Sequence, residues 1–442
     1  MKAKELAAFG VLIADIAIFH EDNKDWVGSS IGTGPVWKVV PDAGPGESDF
    51  GESVAVSRNG RTLLVASPRE GCAAGLDCGA AYVYVWEDPV WKQQARLTAS
   101  DETALAQFGG WELYDNTVAL SADGDTALIA AVNGINACST GSVYVFVRQD
   151  GTWSERQKLV LPEDLLLPVV REPDPSCGIE IDQFGRSVAL SDNGRTAIVG
   201  ATLQGLTGGA DTGAAYVFQR EEDEWMPTAR LTGSKTVNES LFKRVRLGAA
   251  VALSGNGHTA LVGSPATGVT RAEARALSGG YVFKQEGDTW TEVALLHPDP
   301  KAANPRNLGG SVALSRNGYT ALVGSGRPVV FQGTEDGSWT VEATLGLGLT
   351  VSQFGFSLDL NDNGHVAAVG DWGTGKAYAF KRRELDDGTI EWQKLFEIAD
   401  EQFGFDFGVL GSSVAVSGNA KTVFAGYKPS SEGNEVFSIT RE

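Results

Sequence analysis

Phe184-Gly185-Arg186-Ser187-Val188-Ala189-Leu190-Ser191-Asp192-Asn193-Gly194-Arg195-Thr196-Ala197-Ile198-Val199-Gly200 reads as a short apolar run, an Asn-Gly turn and a second apolar run. After a variable gap come Gly213-Ala214-Ala215-Tyr216-Val217-Phe218, then a lone Trp225 leading into Ala229-Arg230-Leu231. Variants of this unit recur along the chain. A unit made only of short β-like runs cannot bury its apolar faces alone, so it must stack on its neighbours.

The turn is Asn or Asp followed by Gly at Asn59, Asp123, Asn193, Asn256, Asn317 and Asn363, and Asn419-Ala420 in a seventh copy. Such pairs supply the positive φ of a tight hairpin. The run before each turn is small and apolar, as in a strand packed on both faces. The third run is aromatic. The fourth opens at a tryptophan and is more polar, as in a half-exposed outer strand. Four antiparallel strands, radially repeated, are the ingredients of a β-propeller. The outer-strand tryptophans are Trp37, Trp91, Trp153, Trp225, Trp290, Trp339 and Trp392, offset by one from the hairpins. Pro35-Val36-Trp37-Lys38-Val39-Val40 is therefore expected as the outer strand of the last blade. The expectation is an all-β, seven-bladed β-propeller of four-stranded antiparallel blades over residues 25–442. Its ring closes where the N-terminal outer strand joins the C-terminal blade, leaving no open edge between first and last blades.

The 442 residues carry 56 acidic and 36 basic side chains, a net charge of −20. That surface repels nucleic-acid phosphates and anionic membranes, so no nucleic-acid partner is expected. Cys72 and Cys78 lie in one inter-strand loop, and Cys138 and Cys177 in two later loops. An even count confined to loops reads as disulfides formed in an oxidising compartment, with pairing of Cys138 and Cys177 left open. Four free thiols is the alternative. Zinc is not expected, since there is no CxxC pair and no histidine near a cysteine. Residues 1–24 differ from the rest: Lys2 and Lys4 precede an apolar run from Leu6 to Phe19, broken by Asp15. The run is shorter than the roughly 20 residues of a membrane span. A signal peptide is the alternative, but no small-x-small cleavage site follows. The expectation is an apolar helix docked on the main body or on another subunit.

Phe50-Gly51, Phe108-Gly109, Phe184-Gly185 and Phe354-Gly355 precede first strands, with Leu247-Gly248 and Leu308-Gly309 as variants. Ser67-Pro68 and Ser264-Pro265 follow second strands. Over residues 35–442 these features resemble the FG-GAP repeats of the integrin α-subunit propeller. The resemblance implies an extracellular, seven-bladed propeller used for recognition or adhesion. That family carries Asp-x-Asp-x-Asp-Gly calcium loops, whereas this chain has short Asn-Gly turns. The nearest remnant, Asn361-Asp362-Asn363-Gly364, is too short to supply about six oxygen ligands. No cofactor or metal is expected, with calcium, which the resemblance implies, left as the alternative.

Where the pattern breaks, ligand contacts are expected. Trp372, in Asp371-Trp372-Gly373-Thr374-Gly375-Lys376, and Trp111, in Gly109-Gly110-Trp111-Glu112, are the candidate aromatic contacts, with Asp371 as the adjoining carboxylate. Asn238-Glu239-Ser240 is a glycosylation sequon in a variable loop. His258 and His365 share one position after the hairpin, which marks them as turn residues, not catalytic bases. The chain is expected to be a non-enzymatic, extracellular or cell-surface module that binds a protein partner or self-assembles through its N-terminal segment. A glycan-binding propeller is the first alternative. A propeller-based hydrolase or lyase is the second, and it requires convergent carboxylates.

Overall fold

Each Ser-x-Asn-Gly segment folds into a turn locked by its own side chains. Ser57 Oγ donates to Asn59 Oδ1 (2.9 Å), which also accepts the Arg61 N–H, while the Thr62 N–H donates to Ser57 Oγ. The same lock recurs at Ser121/Asp123, Ser191/Asn193, Ser254/Asn256, Ser315/Asn317 and Ser417/Asn419. Ala420 takes a φ of +58° where the other turns have glycine. The lock thus holds the left-handed residue even against the roughly 1–2 kcal/mol cost of a Cβ there.

The computed structural model describes residues 17–20, 39, 49–73, 75–88, 90–101, 106–110, 116–132, 141–162, 183–202, 213–234, 245–266, 277–297, 308–324, 326–351, 353–399, 408–429 and 435–437. Six blades each have four consecutive antiparallel strands: blade one spans 54–97, two 118–159, three 184–231, four 251–296, five 312–344 and six 354–399. Burial peaks at the second strand and falls toward the rim. Second strands such as Thr62–Ser67 are buried at every residue, whereas outer strands such as Val90–Leu97 alternate exposed and half-buried. Phe50, Phe108, Phe184 and Phe354 are fully buried and meet Tyr82, Tyr144, Tyr216 and Tyr378 edge-on at 5.5, 5.4, 6.1 and 5.4 Å.

The seventh place in the ring is filled by a C-terminal sheet that differs from expectation. Gly408–Val416 pairs with Thr422–Pro429, whose other edge pairs with Glu435–Phe437 and then with Ala17–His20, the two registers meeting at Ala425. The expected seven equivalent blades are therefore six, plus this composite sheet. Ala17–His20 is a strand and not part of a helix, because the free edge at Thr422–Ala425 offers hydrogen-bonding groups that an extended segment with Ile18 and Phe19 satisfies. The rest of residues 1–24 lies outside the described residues. So does Pro35–Val40 apart from Val39, which is 1% exposed and packs with Phe50, Val54 and Phe424 between this sheet and blade one.

Two sets of hydrogen bonds join neighbours near the axis. At the hairpin end, backbone N–H groups pass from turn to turn: Arg58 to Ala122, Ala122 to Asp192, Asp192 to Gly255, Gly255 to Arg316, Arg316 to Asp362, Asp362 to Gly418, and Gly418 back to Arg58. At the opposite end, an inner-strand serine donates to the carbonyl of the next Phe-Gly or Leu-Gly glycine. Ser187 Oγ reaches Gly248 O at 3.0 Å, Ser311 reaches Gly355 at 2.6 Å, Ser357 reaches Gly411 at 2.9 Å and Ser413 reaches Gly51 at 2.8 Å. These glycines are obligatory. Gly248 has φ +86°, and a Cβ there would overlap the Ala214 carbonyl oxygen. The Cys72–Cys78 disulfide is present as expected. Cys138 and Cys177 lie outside the described residues. Among the described residues no helix is long and apolar enough to cross a membrane.

One inner strand breaks the pattern. Ala55, Ala119, Ala189, Ala252, Ala313 and Ala415 share a position that blade six fills with Asp359. Its carboxylate accepts the Leu360 N–H (2.8 Å) and reaches across to the Val416 N–H (2.7 Å), bridging blade six to the C-terminal sheet. Part of its surface is accessible beside the axis, yet protein surrounds it at longer range. Burial, opposed by the two backbone hydrogen bonds and aided by nearby Asp362, pushes the Asp359 carboxyl up to about 7.

Two predictions test these joints. Gly248→Ala should destabilise the chain by roughly 3 kcal/mol or more, through strain and backbone overlap. Gly287→Ala, at φ +59° with open space around it, should cost about 1 kcal/mol; equal costs in urea unfolding would refute the special role of Gly248. For Asp359 the folded state holds a proton that the unfolded chain releases near pH 4. Its contribution to stability is thus fully present below that pH and declines as pH rises through about 7. Relative to Asp359→Asn, the wild type should lose roughly 2–3 kcal/mol between pH 5 and pH 8. Parallel pH profiles of urea midpoints would contradict this.

Candidate recognition surfaces

The loop face of blade six presents the expected aromatic contact. After the second strand Val366–Asp371, the chain makes a single 3-10 turn, Trp372–Thr374, closed by Gly375 at φ +61°. Asp371 is fully buried, accepting the Gln353 N–H (2.7 Å) and the Thr374 hydroxyl (2.8 Å). Its role is to hold the turn, so it offers no carboxylate to a ligand. Trp372 is half-buried and meets Phe356 edge-on at 5.7 Å. Its buried indole N–H has no acceptor among the described residues. Leaving such a donor unmet costs about 1–3 kcal/mol. Trp111 and Asn238 lie outside the described residues, as does the long loop over 163–182.

At the hairpin end the axis opens into a depression of about 610 Å³ lined by Arg58, Asp192, Arg316 and Asp362. The charges pair among themselves. Arg58 meets Asp362 at 2.5 Å, and Arg316 bridges Asp192 and Asp362. Gly255 and Gly418 leave room for them, since a Cβ on either would overlap Asp192 or Asp362. Burial pushes the Asp192 carboxyl up, against the pull of Arg316. Two cations and two anions thus make a self-neutralised plug.

The same contacts dispose of the calcium-loop remnant. Asp362 is committed to Arg58 and Arg316, and the Asn361 and Asn363 oxygens accept backbone N–H groups of His365 and Val366. Among the described residues no cluster of three or more His, Cys, Asp or Glu is arranged to hold a metal ion. His258 and His365 occupy turn positions as expected. The first contacts Gln285 at 2.9 Å, and burial together with Arg382 holds the second below the usual histidine range.

Two features escaped sequence reading. Leu410-Gly411 is a further copy of the Phe-Gly motif, with Gly411 at φ +85°; its signal was the glycine spacing rather than the phenylalanine. Asp359 stood out only as a charge at an alanine position.

Comparison with known proteins agrees with this architecture. The FG-GAP repeat family model matches residues 91–146 and 176–218. No curated protein sequence matches the chain. Among solved structures, hydrazine synthase of Kuenenia stuttgartiensis aligns with a TM-score of 0.53 at 12% identity, over 86% of this chain and 93% of that one. A protein from Lactobacillus plantarum aligns at 0.51 and 15%, over 88% and 98%. The Cps50 (Swd1) β-propeller domain of Myceliophteria thermophila aligns at 0.50 and 10%, over 86% and 96%. At these identities the likeness shows the fold alone. The chain is an all-β propeller of four-stranded antiparallel blades, with residues 91–146 and 176–218 matching the FG-GAP repeat.

Proposed function

We propose that this propeller is a non-enzymatic recognition module of the extracellular space or cell surface, whose loop face binds a protein partner through Trp372. The observation that carries this reading is the half-exposed Trp372, packed edge-on against Phe356 on the face where the variable loops emerge. An aromatic anchor held by Asp371, Thr374 and Gly375 loses little entropy on binding. The FG-GAP repeats and the Cys72–Cys78 disulfide support an oxidising, external setting. In this reading the C-terminal sheet counts as the seventh blade of an integrin-like ring.

The test is affinity capture from surface extracts of the source organism with wild-type and Trp372→Ala baits. A partner should be retained by the wild type and bound about ten-fold more weakly by the variant, with circular dichroism and melting unchanged. Identical capture by both baits, or binding competed away by simple sugars, would refute the reading.

A further inference from the structure

Each outer strand contains one bulged residue three positions after its tryptophan. Val83 pairs with Ala95 and Tyr84 with Gln93, which leaves Gln94 outside the ladder. The same break leaves out Arg156, Thr228, Val293, Glu342 and Leu395 in the blades that follow. A bulge re-aims its side chain, and at two joints, one–two and five–six, its target is the next blade's outer tryptophan. Gln94 accepts the Trp153 indole N–H at 3.0 Å and an Arg148 N–H at 3.0 Å. Glu342 accepts the Trp392 indole N–H at 2.9 Å and an Arg382 N–H at 2.7 Å. Each of these arginines is the cross-strand partner of its tryptophan, and Arg148 lies over the Trp153 ring at 5.4 Å. Bulge, arginine and indole together latch one blade to the next.

The joint between blades four and five has neither half of the latch, and unlike the joint between three and four it also leaves the ring uncovered. The bulged residue is Val293, which offers no acceptor, and the cross-strand partner of Trp339 is Gly333, which has no side chain to cover it. The Trp339 indole rests on the Gly333 backbone, where a Cβ would stand 2.8 Å from the ring. No described residue accepts its N–H. What remains is a groove of about 570 Å³ lined by Val293, Leu295, Asp336, Ser338, Trp339 and Val341. Val293 is 38% exposed and Val341 49%. The consecutive residues 293–297 all line it, so the groove follows the open outer edge of Thr289–Leu296.

We propose that this joint is a docking groove for an extended segment of a partner protein that carries an apolar side chain beside a lysine or arginine. The open strand edge supplies backbone hydrogen bonds to an added strand. The apolar side chain fills the space between Val293 and Val341 against the indole, where the latch stands in other blades. The basic residue meets Asp336, whose exposed carboxyl is held below the usual range by the Thr334 hydroxyl and the Ser338 N–H. The nearby Lys284 is turned to the Glu335 carbonyl and the Tyr319 ring. The chain's charge of −20 favours a basic partner at longer range. This groove lies at the rim and is independent of the loop-face reading.

The test is selection of seven-residue peptides from a displayed random library on the intact chain, followed by calorimetry. Enriched sequences should pair an aromatic or aliphatic residue with Lys or Arg. They should lose at least ten-fold in affinity on Val293→Gln and on Trp339→Ala, several-fold on Asp336→Asn, and nothing on Trp372→Ala. Val293→Gln restores the acceptor found in blade one and should keep the melting temperature, so it decides the matter if Trp339→Ala folds poorly. Absence of enrichment, equal binding to Val293→Gln, or Trp339-dependent binding of saccharides on a glycan array in place of peptides would each overturn the proposal.

Discussion

One carbonyl per joint carries the architecture: that of the Phe-Gly or Leu-Gly glycine, seated in the preceding blade. Two features of that blade receive it. An inner-strand serine donates to it, as Ser187 does to Gly248, and a small second-strand residue such as Gly200 leaves it room. The residue that supplies the carbonyl must itself be glycine, because its left-handed backbone lies against a carbonyl of the same preceding blade. Backbone is thereby packed on backbone, and the tolerance for an added methylene is close to nil. Ser413 and Gly426 grip Gly51 in the same way, so the C-terminal sheet is held to blade one by the device that also joins blades three and four and blades five and six.

The hairpin end obeys a different rule. There the joints are made by backbone groups alone, N–H to carbonyl around the axis, and side chains at those positions are free to vary. They vary in a compensated way. Arginine at 58 and 316 and aspartate at 192 and 362 neutralise one another across glycines at 255 and 418. Isolated exposed ion pairs contribute little, but a chain of four around a narrow axis satisfies charges that would otherwise repel or bind ions. The two ends thus divide the work: geometry is set at the glycine carbonyls, and charge is balanced at the turns.

The parts of this fold legible in the sequence are those that repeat. Asn-Gly turns, Phe-Gly pairs and outer tryptophans mark strands and blades because every copy solves the same local problem. Closure was read less well. The rim strand expected at Trp37 lies outside the described residues, whereas Ala17–His20 takes part of the edge of Thr422–Pro429, and nothing in a leader of Leu, Ile, Ala and Phe separates a helix from a strand that borrows a free edge. Asp371 was read as a ligand contact because an acid beside a tryptophan has that chemistry, but its burial beside Gln353 depends on a contact 18 residues away. The bulges were illegible for a related reason. One extra residue in an outer strand alters no local pattern, and only the cross-strand register shows which side chain it turns outward.

Repetition also gives a way to recognise where selection has acted on something other than folding. The latch of Gln94 with Arg148 and Trp153 joins blades one and two, and Glu342, Arg382 and Trp392 join blades five and six in the same way. Blade four keeps the bulge and blade five keeps the tryptophan, while the acceptor and the cover are both absent. A joint eroding under mutation alone would be expected to lose its large, costly element first, since an uncovered indole exposes apolar surface to water. Here the indole stays and its two polar companions are gone, with Val293 and Val341 exposed beside it. That combination is unfavourable for the isolated chain and favourable for a surface that is covered part of the time. The rim between blades four and five therefore combines an uncovered indole with exposed valines in the way that binding, rather than folding, requires.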